Sequence, residues 1–263
     1  MTYEFLIKVI LSFLIGGFWI SATTLFTENK GSKIGGLISG LPSTILLACV
    51  FIGITQEPDF VAQAMQTLPL ALIIDNIFLL ILILLIGKGL FKSLTIGLAA
   101  WLLLAIGFNY ITGLNYYLSI LIFLTVTFCI LFVTEKILKI ESAKENKKPY
   151  TKTQIITRGL FGGMIIATAT ITAKLLGTYW AGIMSAFPAM FMSSMIILSR
   201  NQSPKFAQAT GKILILSSIS PLIFSSAVIY TYPHFGIVFG TIISYLIAGI
   251  WTTIAYPIVK KLA

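Results

Sequence analysis

An aspartate and an asparagine stand side by side in a long apolar run, Leu72-Ile73-Ile74-Asp75-Asn76-Ile77, and no other acidic residue lies well inside such a run. An ionised carboxylate at the centre of a bilayer costs about 2.5–3.5 kcal/mol on insertion scales, so it must face protein or water, or stay protonated. That chemistry suits a group that accepts a proton, a sodium ion or a substrate cation, with Asn76 as its neutral neighbour. A structural ion pair with Lys174 is the other role open to it. A second constellation occurs twice. The pattern Gly-x-x-Ser-(Gly/Ala)-(Leu/Phe)-Pro is carried by Gly36, Ser39, Gly40, Leu41 and Pro42, and again by Gly182, Ser185, Ala186, Phe187 and Pro188. Proline inside a helix removes one backbone hydrogen bond and clashes with the preceding turn. In lipid the released carbonyl needs protein or water as a partner, so each motif marks a broken helix beside a cavity or a close helix crossing. A third group of hydroxyls, Ser217, Ser218, Ser220, Ser225 and Ser226, surrounds Pro221. Candidate substrate- or ion-binding residues are therefore Asp75, Asn76, Ser39, Pro42, Ser185, Pro188 and Ser220.

Enzyme chemistry finds little to work with. There is no Gly-x-x-x-x-Gly-Lys-Ser/Thr, no His-Glu-x-x-His and no Gly-x-Ser-x-Gly, and His234 is the only histidine. Cys49 and Cys129 both sit in apolar runs and read as small hydrophobes, neither a disulfide nor a metal pair. No catalytic residues, cofactor or metal are expected.

The elements that must position these residues are membrane helices. Of 263 residues 57% are hydrophobic and 10% charged, with 19 Phe, against roughly 45–50% and 25% in soluble chains. Mean hydropathy is +0.99. Soluble enzyme, nucleic-acid binder and disordered scaffold are excluded on that balance. About 20 apolar residues cross the hydrocarbon core. By that length nine spans are expected, at about 5–26, 34–55, 66–87, 91–110, 115–134, 156–176, 179–199, 210–231 and 235–259. The polar tract from Glu135 to Thr153, with six lysines, is a solvated linker whose basic cluster suits anionic head groups. Nine spans sort sixteen of the 18 basic residues to one side and leave only Lys8 and Lys174 on the other. Basic loops stay in the cytoplasm, which places the N-terminus outside and the C-terminus inside a cytoplasmic membrane.

The halves are related. An offset of 146 aligns residues 16–60 with 162–206 without a gap, at eleven identities in 45 positions. Among them are Gly16, Gly17, Ile20, Thr24, Ser39 and Pro42 with Gly162, Gly163, Ile166, Thr170, Ser185 and Pro188. The charged run Gln56-Glu57-Pro58-Asp59-Phe60 meets Gln202-Ser203-Pro204-Lys205-Phe206, acidic on one side and basic on the other. An offset of five spans turns the second repeat over, so the expected fold is all-α, two inverted four-helix repeats joined by a fifth helix. Repeat one covers 1–113, the linking span and basic loop 114–154, and repeat two 155–263. The position matching Asp75 falls near Ser220-Pro221, so the carboxylate is not duplicated.

Around the second motif the chain resembles the GlpM family of small bacterial membrane proteins, in Thr178-Tyr179-Trp180-Ala181-Gly182-Ile183, Phe187-Pro188 and Ser199-Arg200-Asn201. The resemblance runs over about 155–263, with a fainter echo in 5–110. It implies a chain made by fusing and diverging two copies of a domain half as long. That family's name is tied to glycerol metabolism and exopolysaccharide production, and it brings no ligand with it. Inverted repeats with paired breaks are the usual construction of secondary transporters. The function expected is transport or export of a small polar or amphipathic solute, proton- or sodium-coupled through Asp75. A lipid-handling or envelope-biosynthesis accessory, or a scaffold without transport, is the alternative. Its partners would be a small-molecule or lipid substrate and the surrounding lipids, with no nucleic acid, and a homo-oligomer stays open.

Overall fold

The computed structural model describes residues 2–29, 41–111, 114–140 and 151–262. Among them the regular structure is helical, with no strand. Repeat one supplies α1 (Tyr3–Asn29), α2 (Ser43–Thr55), α3 (Pro58–Met65), α4 (Leu68–Leu85) and α5 (Leu90–Asn109). The linking helix is α6 (Tyr116–Phe132), which widens into a π-turn at Val133–Ile137. Repeat two supplies α7 (Lys152–Ser185), α8 (Ala189–Asn201), α9 (Pro204–Ser217) and α10 (Ile219–Leu262).

The chain is an all-α membrane protein. Six stretches are long and apolar enough to cross a bilayer, three fewer than the nine spans expected from composition. The shortfall has two sources. The expected span 34–55 is described only from Leu41 and forms a 13-residue helix after Pro42. The last four expected spans run together as Lys152–Asn201 and Pro204–Ile254, of 50 and 51 residues. Both stretches are bent inside by a glycine in the left-handed region, Gly177 at φ 80° and Gly236 at φ 69°. Only glycine takes that conformation without a steric penalty, which is why the helix direction can change at these two places.

The internal repeat is written in the backbone. Helices α2 and α8 are both 13 residues long and begin and end 146 residues apart. Pro42 (φ −77°, ψ 50°) precedes the first and Pro188 (φ −76°, ψ 36°) the second. Gln56 (φ −114°, ψ −91°) and Gln202 (φ −117°, ψ −85°) end them in the same unusual conformation. Glu57 and Ser203 then open α3 and α9 in extended backbone, each followed by a proline at the first helical position, where its missing N–H costs nothing. Sequence drift has been compensated in volume. Cys49 Sγ lies 3.4 Å from Met65 Sδ. At the matching positions stand Met195 and Gly211, and a methyl group on Gly211 would come 3.2 Å from Met195 Cε. The larger residue has changed places and the contact is kept.

The halves meet along α1 and α7. A Cβ on Gly16 would lie 2.5 Å from Ile166, and one on Gly162 would lie 2.6 Å from Ile20. These four positions are two matched pairs, so the contact is reciprocal, as at a two-fold interface. Gly17, Gly159 and Gly163 bring the two backbones together beside them: a Cβ on Gly17 would sit 3.0 Å from the Gly159 carbonyl, and one on Gly163 would strike the Phe13 carbonyl. Small residues at a helix crossing are what membrane helices use to approach closely, because lipid gives no hydrophobic drive between them. Gly163→Ala should therefore push the helices apart and cost about 1–3 kcal/mol by overpacking. Gly107→Ala, with open space around it, should leave the melting temperature of the purified protein unchanged. Equal melting temperatures for the two variants would refute the crossing.

Candidate functional site

Where a proline opens a helix in lipid, the chain must dispose of the first-turn amides. Both motifs do so identically. The Ser43 amide donates to the Leu41 carbonyl at 2.8 Å, and the Ala189 amide to the Phe187 carbonyl at 2.7 Å. These three-residue turns, with Pro42 and Pro188 at their centres, have the dihedrals of inverse γ-turns. The next intrahelical bonds, Leu46 to Pro42 and Met192 to Pro188, are both 2.8 Å. Between them the amides of Thr44, Ile45, Met190 and Phe191 have no partner among the described residues. Helix N-termini carry a partial positive charge of roughly half an electron.

Both N-termini open onto one cavity of about 90 Å³. Its wall is built from matched positions of the two repeats: Leu41 with Phe187, Pro42 with Pro188, Thr44 with Met190, Ile45 with Phe191, and Asp75 with Pro221. The cavity thus lies where the repeats face each other. Two charged residues of opposite sign break its symmetry, Asp75 from α4 and Arg158 from α7, which are 2% and 5% exposed. Trp101 Nε1 of α5 donates to Asp75 Oδ1 at 2.8 Å, and Oδ2 has no partner among the described residues. Trp101 also sets its ring edge-on to Phe187, with centroids 4.9 Å apart. One side chain therefore ties the carboxylate of repeat one to the motif of repeat two. Arg158 Nη2 donates to Ser194 Oγ at 3.0 Å. Among the described residues the only ion pair is Lys212–Glu135, away from this cavity, so Asp75 and Arg158 share the wall without bonding to each other. Lys174, the other partner open to Asp75, instead stands 4.1 Å over the Phe5 ring.

Of the candidates read from sequence, Asp75, Pro42, Ser185 and Pro188 come together in this wall. Ser39 lies outside the described residues. Asn76 does not reach the cavity. On a helix its side chain points about 100° away from that of Asp75, and it donates to Thr127 Oγ1 of α6 at 2.9 Å and Ser218 Oγ at 3.1 Å. It is a tie between the linking helix and both repeats. Ser220 is buried outside the wall with its hydroxyl unbonded, and Ser217 lines the cavity in its place. Sequence reading missed the roles of Arg158 and Trp101. Arg158 reads as an anchor at the inner end of a span, and nothing local distinguishes Trp101 from an interfacial tryptophan. Thr23, Thr24, Ser43 and Tyr245 complete the polar part of the wall.

The Trp101–Asp75 bond predicts a measurable coupling. Trp101→Phe keeps the ring contact and removes the donor, and a hydrogen bond to a buried charged or polar group is worth about 1–3 kcal/mol. Trp101→Phe should lower thermal stability in the wild-type chain and have a much smaller effect in an Asp75→Ala background. Additive losses would show that the tryptophan does not hold the carboxylate.

A family model described as "Protein of unknown function (DUF3147)" matches the chain twice, over residues 9–113 and 155–261. These are the halves that the 146-residue offset relates. The match draws no link to the GlpM family. No curated protein and no solved structure matches the chain.

Proposed function

We propose that this chain, which belongs to that family and carries its domain twice, is a secondary transporter of a small polar or amphipathic solute across the cytoplasmic membrane. Asp75 is its proton- or sodium-coupling group. The carrying observation is the cavity on which both proline breaks converge, with one buried carboxylate and one buried guanidinium in its wall. Transporters bind solutes at broken helices near the repeat interface and expose that site to each side in turn.

In this reading the chain crosses the membrane nine times. A continuous helix of 50 residues would be about 75 Å long, more than twice the hydrocarbon thickness of about 30 Å. Dividing Lys152–Asn201 and Pro204–Ile254 each in two at Gly177 and Gly236, and adding the broken span that holds Ser43–Thr55, makes six stretches into nine. Four spans in each half around α6 invert the second repeat. The basic residues then fall sixteen to two in favour of the cytoplasmic side. A reporter fused after Ala263 is expected in the cytoplasm and one before Thr2 outside; both on one side would exclude the inverted pair.

Alternating access is open to a direct test. Thr44 is half-buried in the cavity wall. Thr44→Cys, with exposed Cys129 changed to Ala, should react with a membrane-impermeant thiol reagent from either face of oriented vesicles. The balance between faces should shift when a proton or sodium gradient is imposed. Asp75→Asn keeps the shape and the Trp101 contact but fixes the charge at zero, so the protein should fold and lose that shift. A thiol that is inert from both faces, or a gradient response unchanged in Asp75→Asn, would overturn the proposal.

A further inference from the structure

We infer that the cavity takes a small monocarboxylate with an apolar body, bound together with one proton. One ligand oxygen accepts from the first-turn amides of α2 and α8, and the other shares that proton with Asp75. This rests on the transport reading of the same cavity and deepens it, naming the solute and choosing the proton as the coupling ion.

Two independent observations meet in one space. The first is a set of backbone donors. The amides of Thr44 and Ile45, and those of Met190 and Phe191, have no partner among the described residues at the starts of two 13-residue helices. All four residues line the cavity, so both helices present their positive ends to it. An N–H group only donates, and a helix N-terminus favours an anion as its acceptor. The second observation is Asp75, 2% exposed in the same wall, with Oδ1 held by Trp101 and Oδ2 without a partner among the described residues. Arg158 has partners of its own, Ser194 among them; it adds positive charge to the wall and is assigned no bond to the ligand.

Together these select a carboxyl group. An amine would bring further donors to the amides and leave them without an acceptor. An alcohol or an amide would accept from them without the gain of a charge-assisted bond. A carboxylate has two acceptor oxygens, one for the amides and one for Asp75 Oδ2. Two ionised carboxylates cannot stand side by side, but a pair holding one proton forms a short O–H···O bond. The filled site is the same whether Asp75 or the ligand brings that proton, and it is lost when rising pH removes the proton. Facing Asp75 are Arg158 from α7, Tyr245 from α10 and Trp101 from α5, while α6 presents the neutral Thr127 to Asn76 and Lys212 of α9 is paired with Glu135. Arginine stays charged and tyrosine neutral between pH 6 and pH 9 by their ordinary values, so a pH effect there reads the shared proton. Leu72, Ile45, Phe187 and Phe191 make the remaining wall apolar or aromatic, which suits an alkyl body. A volume of about 90 Å³ is room for roughly six waters or a ligand of that size.

The full chain in lipid nanodiscs is titrated calorimetrically with propionate, propionamide and propylamine, which are an anion, a neutral acceptor and a cation of matching length. At pH 6 propionate is expected to bind at least tenfold more tightly than the other two. Its affinity should fall at least tenfold between pH 6 and pH 9, while that of propionamide stays level. Asp75→Asn replaces the shared O–H by a permanent N–H donor, so propionate should still bind at pH 9 and no longer respond to pH. Should that variant fail to fold, the contrast between propionate and propionamide in the wild-type chain still reads the shared proton. Propionamide or propylamine binding as tightly as propionate overturns the inference. So does a propionate affinity that is level with pH in the wild type, or one that keeps its slope in Asp75→Asn. Uptake into proteoliposomes, measured above that of protein-free vesicles, separates this outcome from the fate of the transport reading. Propionate that binds as expected and is not accumulated under a proton gradient refutes transport and leaves the site standing. Propylamine accumulated under that gradient, with no propionate bound, refutes the carboxylate and leaves transport standing.

Discussion

The near-contact of two backbones at Gly17, Gly159 and Gly163 is the constraint from which the rest of this structure follows. Lipid offers helices no hydrophobic reason to associate, so their packing must come from close van der Waals contact between small residues. Once α1 and α7 are in contact at this point, the reciprocal packing of Gly16 on Ile166 and Gly162 on Ile20 fixes the repeats about an approximate two-fold relation. That relation carries the two proline breaks to a common place. Neither break could be tolerated facing lipid, because the amides of the following first turns would be left dry. Placed together, they share one cavity, and each repeat completes the wall of the other.

Symmetry supplies the frame and departures from it supply the chemistry. Where repeat one has Asp75, repeat two has Pro221; where repeat two has Arg158, repeat one has Ser12. Each half thus contributes one charge to the cavity and nothing that duplicates it. Trp101 then couples the halves, since it holds Asp75 through its N–H and meets Phe187 with its ring. A different polar tie, Asn76 with Thr127 and Ser218, fastens the linking helix to both repeats away from the cavity. Adjacent residues on one helix turn therefore serve separate ends, one lining the cavity and one holding the frame around it.

Lys212 adds a third fixed point. It is 3% exposed, and it reaches Glu135 at 2.7 Å and the Ile140 carbonyl at 3.1 Å, where the linking helix widens into its π-turn. The start of the linker is thereby held to α9 by a buried ammonium, although its composition alone reads as a solvated tract.

Much of this architecture is legible in the chain itself. Apolar content and run length establish membrane helices because the bilayer sets a fixed length and rejects charge. The gap-free offset of 146 residues, with its glycines and prolines, establishes the repeat, because backbone breaks and close crossings admit few residue types. Asp75 stands out for the same reason, being a carboxylate where carboxylates are expensive. What sequence cannot convey is distance between helices. Whether Asp75 pairs with Lys174 or shares a wall with Arg158 depends on packing that local pattern does not encode. The same holds for Asn76, whose partners lie 51 and 142 residues away. The four expected spans after residue 155 run together in pairs in the folded chain, each pair redirected at one glycine, Gly177 or Gly236, inside a continuous apolar helical stretch. Hydropathy records how greasy a segment is; its direction is decided by one backbone dihedral, and only the tertiary structure gives that.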